Sequence, residues 1–452
     1  MISKNLLKNE KGMALLPVAA FGWFMLALAT TYFDLLSQEK RAVGSSQNNM
    51  KAASIVDAAI EETFWRYNYG GGYDSTNTNS LVNNGWVVSG SDLSLASGSA
   101  RSIADTSGST IGTYFGTITN YTSTTPTVTI YGSHTPAIGT LITGNTSKAM
   151  AQLQPKPLVS SAIQSQGKVT MDSNTSTNSY TGGQTSASDY GNQTPSGNGS
   201  VVTNSTASGA IGSSGTINGT ANTGPSGTVS GTSVTGTTSH TSTASIPAVI
   251  VPTALTALVG GASSRTISSS TSIGTAGSTT NLAYTSLSIT GGTVTIAGDT
   301  NIYLTDTSGT AFNMDSNTNI RVNTVSSGGA PYHLNIYTNG GVVTSSNTSI
   351  GSTANDLNPN GANAVEGLNT SAVVLYGTST CTSVTMDSNG AFNGVIYAPS
   401  AAVELSSNTT VYGAVVGNTV KVDSNSHVYY DTTLPSLLTG STFSLKWYRR
   451  AY

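Results

Sequence analysis

Residues 386–430 read MDSNGAFNGVIYAPSAAVELSSNTTVYGAVVGNTVKVDSNSHVYY. Three turn-forming phrases punctuate this stretch, at Asp387–Ser388–Asn389, Ser406–Ser407–Asn408 and Asp423–Ser424–Asn425. Their asparagines lie nineteen and seventeen residues apart. Each turn is followed by a strand-like phrase of β-branched and aromatic residues: Phe392 to Tyr397, Val411 to Val416, and His427 to Tyr430. That period, with two or three short strands per coil, predicts a β-helix. Coils stacked about 4.8 Å apart pair their backbones with one another, and inward Val, Ile and Ala form the core. Asparagine tolerates left-handed turn geometry, and stacked asparagine side chains can hydrogen-bond along the axis.

The same tetrapeptide recurs far upstream, at Met171–Asp172–Ser173–Asn174 and Met314–Asp315–Ser316–Asn317. Repeats this far apart extend the solenoid over 159–436. Residues 160–245 are rich in Ser, Thr and Gly, a composition shared with disordered linkers. Short apolar points still recur there, at Val169, Val201, Val202, Ile211, Ile217, Val229 and Val234, so the stretch reads as thin solenoid rungs. Between 73 and 158 lie strand-like runs at Trp86–Val88, Gly112–Thr119 and Thr127–Tyr131, which predict a small β subdomain bounded by Pro155 and Pro157. Residues 437–452 form a basic, aromatic tail, read as a strand capping the solenoid. The fold class is mainly β, with one long helix at the start.

That helix is predicted from a different pattern. Lys4, Lys8 and Lys11 precede Gly12, and from Met13 to Leu36 the chain is apolar apart from Thr30, Thr31, Tyr32 and Asp34. A run of this length spans a bilayer core of roughly 30 Å, with the basic leader on the cytoplasmic side. Met13, Leu15, Leu16, Phe21, Trp23, Phe24, Leu26 and Leu28 are the candidate anchor residues. Helical spacing continues through Met50, Ala53, Val56, Ile60 and Phe64. A helix over 13–72, closed by Gly70–Gly71–Gly72, is therefore expected, its second half buried by the β subdomain at Met50, Ile60 and Phe64.

Composition excludes several function classes. Only 8% of residues are charged and the net charge is −3, with no basic block, which argues against nucleic acid. A single cysteine, Cys381, excludes a disulfide framework and reads as a buried small residue. His134, His240, His333 and His427 lack metal-ligand spacing. Asp172, Asp315, Asp387 and Asp423 can supply calcium ligands if the turns align, but Asp and Asn serve turn backbones equally well. No cofactor is expected. After residue 66 only fourteen Asp/Glu remain, and Glu366 and Glu404 are the only glutamates, without evident partners, so catalysis is not expected.

The N-terminal region, through Lys11–Gly12–Met13–Ala14–Leu15–Leu16, Gln38 to Ala42 and Ala52 to Glu62, resembles type IV pilin-like proteins, the PilX class of minor pilins in particular. The resemblance implies a 1–12 leader, cleavage between Gly12 and Met13 by a prepilin peptidase, N-methylation of Met13, and other pilin-like subunits as partners. Major pilins carry glutamate at the fifth mature position, where this chain has Pro17. A minor, initiating or tip role is therefore implied rather than repeated polymerisation. Residues 160–435, through Ala162–Ile163 to Tyr180, Gly394 to Pro399, Tyr412 to Gly417 and Tyr430 to Leu434, resemble a β-helix-like domain fused to PilX-type N-termini in bacterial surface proteins. Together these imply a protein anchored in the inner membrane and exported to the cell surface or pilus, there to adhere, surface glycans being candidate ligands. The alternatives are an uncleaved signal anchor on a pilus-independent surface protein, and a polysaccharide-active β-helix enzyme.

Overall fold

The computed structural model describes residues 15–69, 79–104, 107–121, 123, 125–134, 146–180, 197–323, 332–352 and 370–451. They divide into two compact units. The first comprises Met1–Pro155 with Ser441–Tyr452, and the second is the intervening Lys156–Gly440. The protein is mainly β, with a long helix, an antiparallel sheet and a parallel solenoid.

In the first unit, helix α1 (Leu15–Tyr69) runs unbroken for 55 residues, roughly 80 Å. The sheet holds β1 (Val87–Ser89), β2 (Asp92–Leu95), β3 (Arg101–Ala104), β4 (Thr110–Thr119), β5 (Thr127–His134) and β6 (Thr146–Pro157), ordered β1-β2-β4-β5-β6 with β3 also on β4. Ala52, Ala53, Ile55, Val56, Ala59, Ile60, Thr63 and Tyr67 are buried, and Ile55, Val56, Ala59, Ile60 and Tyr67 share one core with Tyr114, Ile118, Val128 and Ile130 of β4 and β5. Ala53, Val56 and Ile60 of the expected stripe are buried, but its two ends are not. Met50 is 61% exposed, and Phe64 is only partly buried. Ala59 belongs to that core, and its small side chain lets helix and sheet backbones approach.

Two strand glycines serve the same approach. A Cβ at Gly112 would overlap Ile55, and one at Gly132 would lie 2.7 Å from Val56 Cγ2. Gly132→Val is expected to cost about 1–3 kcal/mol by overpacking this seam. A thermal melt checks it, with Gly98→Val, where a Cβ meets nothing within 4 Å, as the neutral comparison.

The sheet's last member comes from the other end of the chain. The C-terminal strand (Thr439–Ala451) lies beside β6, so the tail completes this sheet instead of capping the solenoid. Trp447 Nε1 donates to Gln152 Oε1 at 2.9 Å, and Tyr448 and Arg450 both reach Asp57 of α1.

In the second unit, twenty-five described strands pair in parallel, each with the equivalent strand one coil away. One inward column runs Leu282–Ile302–Ile336–Leu375–Ile396–Val415–Ile163–Val201–Ala221. A second runs Leu287–Phe312–Val342–Val384–Val403–Val420–Val169–Ile211–Val229. The third runs Val294–Ile320–Ile350–Phe392–Val411–Val428–Thr177–Ile217–Val234. The rungs expected in 160–245 are present where the chain is described.

Coil order does not follow chain order. The first coil, 163–180, lies between the coil of 415–431 and the coil of 201–217. From it the chain climbs one way to 238–239. It then returns through 240–262 and winds back from 263 until 410–431 closes on the first coil's open side. The return segment covers part of the solenoid wall. Ile246 and Val249 pack against the core, and Tyr397 Oη donates to Pro247 O at 2.7 Å. Residues 391–399 are consequently buried on both faces, which explains the uninterrupted apolar phrase Gly394–Val–Ile–Tyr–Ala–Pro399.

The asparagine turns form one row along the solenoid. Asn317, Asn347, Asn389, Asn408, Asn425 and Asn174 all have φ near +60°. Each N–H of the first five donates to a serine carbonyl one coil on: Ser346, Ser388, Ser407, Ser424 and Ser173. Side chains link at the row's two ends, Asn347 to Asn317 at 3.3 Å and Asn174 to Asn425 at 3.2 Å. Thr175 and Thr318 close their turns by donating to the carbonyls of Asp172 and Asp315, both at 2.7 Å.

Candidate functional site

Among the described residues, the longest run of exposed large apolar side chains is in the first half of α1. Phe21, Trp23, Phe24, Met25, Leu26, Leu28, Tyr32, Phe33, Leu35 and Leu36 are all exposed, from 38% at Leu36 to 74% at Trp23. At 100° per residue these ten positions surround the helix rather than forming a stripe. Their exposed apolar area is on the order of 1,000 Å², against a few hundred for the patches of ordinary soluble proteins. Covering it is worth roughly 25 kcal/mol at 25 cal/mol per Å². The hydroxyls in this stretch are internally satisfied: Thr30 donates to Leu26 O at 3.1 Å and Ala27 O at 2.9 Å, and Thr31 to Ala27 O. Apart from Asp34 and the Tyr32 hydroxyl, this surface is apolar around the helix.

Among the candidate anchor residues, Phe21, Trp23, Phe24, Leu26 and Leu28 are thus exposed on α1. Leu15 and Leu16 are described for their backbone only, and Gly12 and Met13 lie outside the described residues, as do Gly70–Gly72 and Glu366. Among the described residues no helix meets the length and apolarity needed to cross a membrane.

Far along α1 from this surface, at Glu62, the helix is fixed to its sheet by a polar knot that the sequence did not announce. Glu62 pairs with Arg66 at 2.9 Å and Arg101 at 3.0 Å, and accepts Tyr114 Oη at 2.8 Å. Burial first, and the Glu62 carboxylate second, hold Tyr114 protonated far above the usual tyrosine range. The apolar half thus extends from a helix locked to its sheet on the other half.

The second unit carries polar rows along its walls. Asn281, Asn301 and Asn335 stack on one wall, each linked to the next at 2.9 Å. Tyr337 and Tyr376 stack with centroids 4.7 Å apart, as do Tyr412 and Tyr429 at 5.4 Å. Glu404 does have a partner: Lys421, one coil along, lies 2.9 Å from both Glu404 and Asp423. Hydrogen bonds to those two carboxylates hold the Lys421 ammonium protonated above its usual range. Burial pushes Asp423 up, but bonds from Lys421 and Asp172 outweigh it and leave the carboxyl below its usual range. Asp315 and Asp387 belong to turns separated by the serine turns at 345 and 406, so the four aspartates form no continuous row. The four histidines stand at separate places, beside Ile111 O, Thr223, Asp299 and Ser176 respectively. Among the described residues no group of three His, Cys, Asp or Glu is placed to hold a metal ion. Cys381 is fully buried, and desolvation pushes its thiol up to about 11.

Four solenoid tyrosines, Tyr376, Tyr397, Tyr412 and Tyr430, are held protonated above the ordinary range chiefly by burial, Tyr412 up to about 12. The unfolded chain releases these protons near pH 10 whereas the folded chain keeps them, so above that pH the unfolded state binds fewer protons and stability falls. The contribution is complete below about pH 10 and is lost as pH rises through the folded values, several kcal/mol in all. Phenolate absorbance rising in one step with the loss of far-ultraviolet circular dichroism is expected. Gradual titration near pH 10 with the dichroism unchanged would contradict it.

Comparison with known proteins adds the following. Residues 275–437 match a family model described as a domain of unknown function (DUF7305). No curated protein matches the chain. Among solved structures the chain is similar to the crystal structure of the competence-associated pilin ComZ from Thermus thermophilus, at 13% sequence identity. That likeness covers 91% of this chain and 96% of that one, with a TM-score of 0.26, too low to carry an argument about fold or role.

Proposed function

We propose that this chain is a minor pilin-like subunit of a type IV pilus or related machine. It carries its β-helix to the cell surface, where the solenoid serves adhesion without catalysing a reaction. The observation that carries this reading is the single unbroken helix α1, apolar on all sides through residues 21–36 and docked on an antiparallel sheet through residues 52–67. Inner-membrane lipid covers the first half before assembly, and the helices of other pilin-like subunits cover it afterwards. The leader ending at Gly12 fits removal by a prepilin peptidase, leaving Met13 as the mature N-terminus. Pro17 takes the place of the charged residue with which repeating subunits dock, which suits a subunit present in few copies. The asparagine row at 281, 301 and 335 gives the solenoid an uncharged wall of amides suited to surface glycans.

Pili sheared from the native host and probed with an antibody to the solenoid test this. The protein is expected in the pilus fraction, and expected to leave it when pilus assembly is disabled. The same amount at the cell surface with and without pili would favour the second reading, a membrane-anchored surface protein independent of pili.

A further inference from the structure

The chain's last strand belongs to the unit that its first residues begin. Leu158 N donates to Leu438 O at 2.9 Å, where the solenoid's incoming and outgoing segments pass each other. Further along, Trp447 Nε1 meets Gln152 Oε1. The two contacts step in opposite directions along the two segments, so the C-terminal strand lies antiparallel to β6. Its alternate residues then do two jobs. Trp447 holds the strand to β6, while Tyr448 and Arg450 turn to the other face and grip Asp57 of α1, Arg450 Nε at 3.0 Å from Asp57 Oδ1 with a second bond from its terminal nitrogen to Oδ2. A guanidinium that meets both oxygens of one carboxylate fixes direction as well as distance.

From these contacts we infer that the C-terminal strand is a latch, which lets the helix-bearing unit finish folding only after the solenoid has closed. Before residues 441–451 arrive, β6 presents an unpaired edge and Asp57 lacks both partners. The strand is delivered to that edge by the last coil, which itself closes only when 410–431 stacks on the first coil, 163–180. A chain that fails to complete its solenoid thus leaves the α1 unit open and its edge strand exposed. The latch operates whether or not α1 enters a pilus, so its failure leaves that reading standing.

Hydrogen exchange followed by mass spectrometry, on the detergent-solubilised full chain and on variants, tests the latch. Truncation after Gly440 is expected to speed exchange at least tenfold in 146–157 and 52–63 while the coils of 391–431 stay as protected as in the intact chain. A synthetic peptide of residues 439–451, added in excess, should restore the slow exchange. Arg450→Gln with Tyr448→Phe should speed exchange in 52–63 more than in 146–157, because it removes the grip on Asp57 and keeps the strand. Unchanged exchange in β6 and α1 after truncation would overturn the latch. Equal loss of protection in the solenoid, unrepaired by the peptide, would overturn it too, by showing that the tail stabilises the whole chain rather than one unit.

Discussion

Replacing Gly413 with alanine is expected to lower the melting temperature of the solenoid by roughly 10 °C, or to prevent its folding. Gly413 has φ of +139°, a region that side-chain-bearing residues rarely enter, and a Cβ there would overlap the carbonyl oxygen of Gly394 one coil away. The two glycines are register partners in the most extensive strand pair of the molecule, so neither backbone can yield without breaking ladder bonds on both sides. Strain of about 1–3 kcal/mol from the dihedral adds to the cost of the overlap, for a total of roughly 3 kcal/mol or more. Gly309→Ala is the matched comparison, since a Cβ there meets nothing within 4 Å. Differential scanning calorimetry of the two variants checks the account, and equal melting temperatures would contradict it.

The second large effect is expected in α1. Phe24→Lys combined with Leu28→Lys places two charges near the middle of the apolar run, at side chains 60% and 50% exposed. In a lipid-embedded helix each charge costs about 2.5–3.5 kcal/mol at the centre, so the membrane-bound fraction should fall more than about 100-fold. Neither side chain contributes to the buried core, so the melting of the docked half and of the solenoid should not change. Quantitative membrane fractionation beside Phe24→Leu reads the outcome. Undiminished membrane association would show that these side chains do not meet lipid.

Much of the architecture was legible because it is written in short-range chemistry. Asp–Ser–Asn turns announce a left-handed residue at a fixed place; four of the six turns in the row carry that phrase, and Ser406–Ser407–Asn408 is a near variant at close spacing. The sixth, Ser345–Ser346–Asn347, carries the same Ser–Ser–Asn phrase as 406–408 but stands 42 residues before Asn389, outside the close spacing that marks Asn389, Asn408 and Asn425, although Asn347–Thr348 repeats the Asn–Thr of three other turns. The direction of travel was not legible. Nothing local in Ile163 or Val169 says that the first coil will be enclosed from both sides, since its partners Val415 and Val420 are some 250 residues away. For the same reason the tail read as a cap. Alternation along Thr439–Ala451 reveals a strand but not that its neighbour is β6.

The helix shows the same division. Its apolar run and its length were plain, and Ala53, Val56 and Ile60 of the expected stripe are buried, whereas Ile55 and Ala59 lie off that stripe and still enter the core, Ile55 and Val56 being the side chains that meet Gly112 and Gly132. Glu404 appeared isolated because its partner Lys421 is a whole coil distant in sequence and adjacent in space.

The proposed role of α1, the assembly helix of a processed pilin-like subunit, depends on where the mature chain begins. Intact-mass and N-terminal peptide analysis of the protein from sheared surface filaments tests it most directly. The account predicts a mature chain beginning at N-methylated Met13, the leader through Gly12 having been removed. A chain that still begins at Met1 would contradict it.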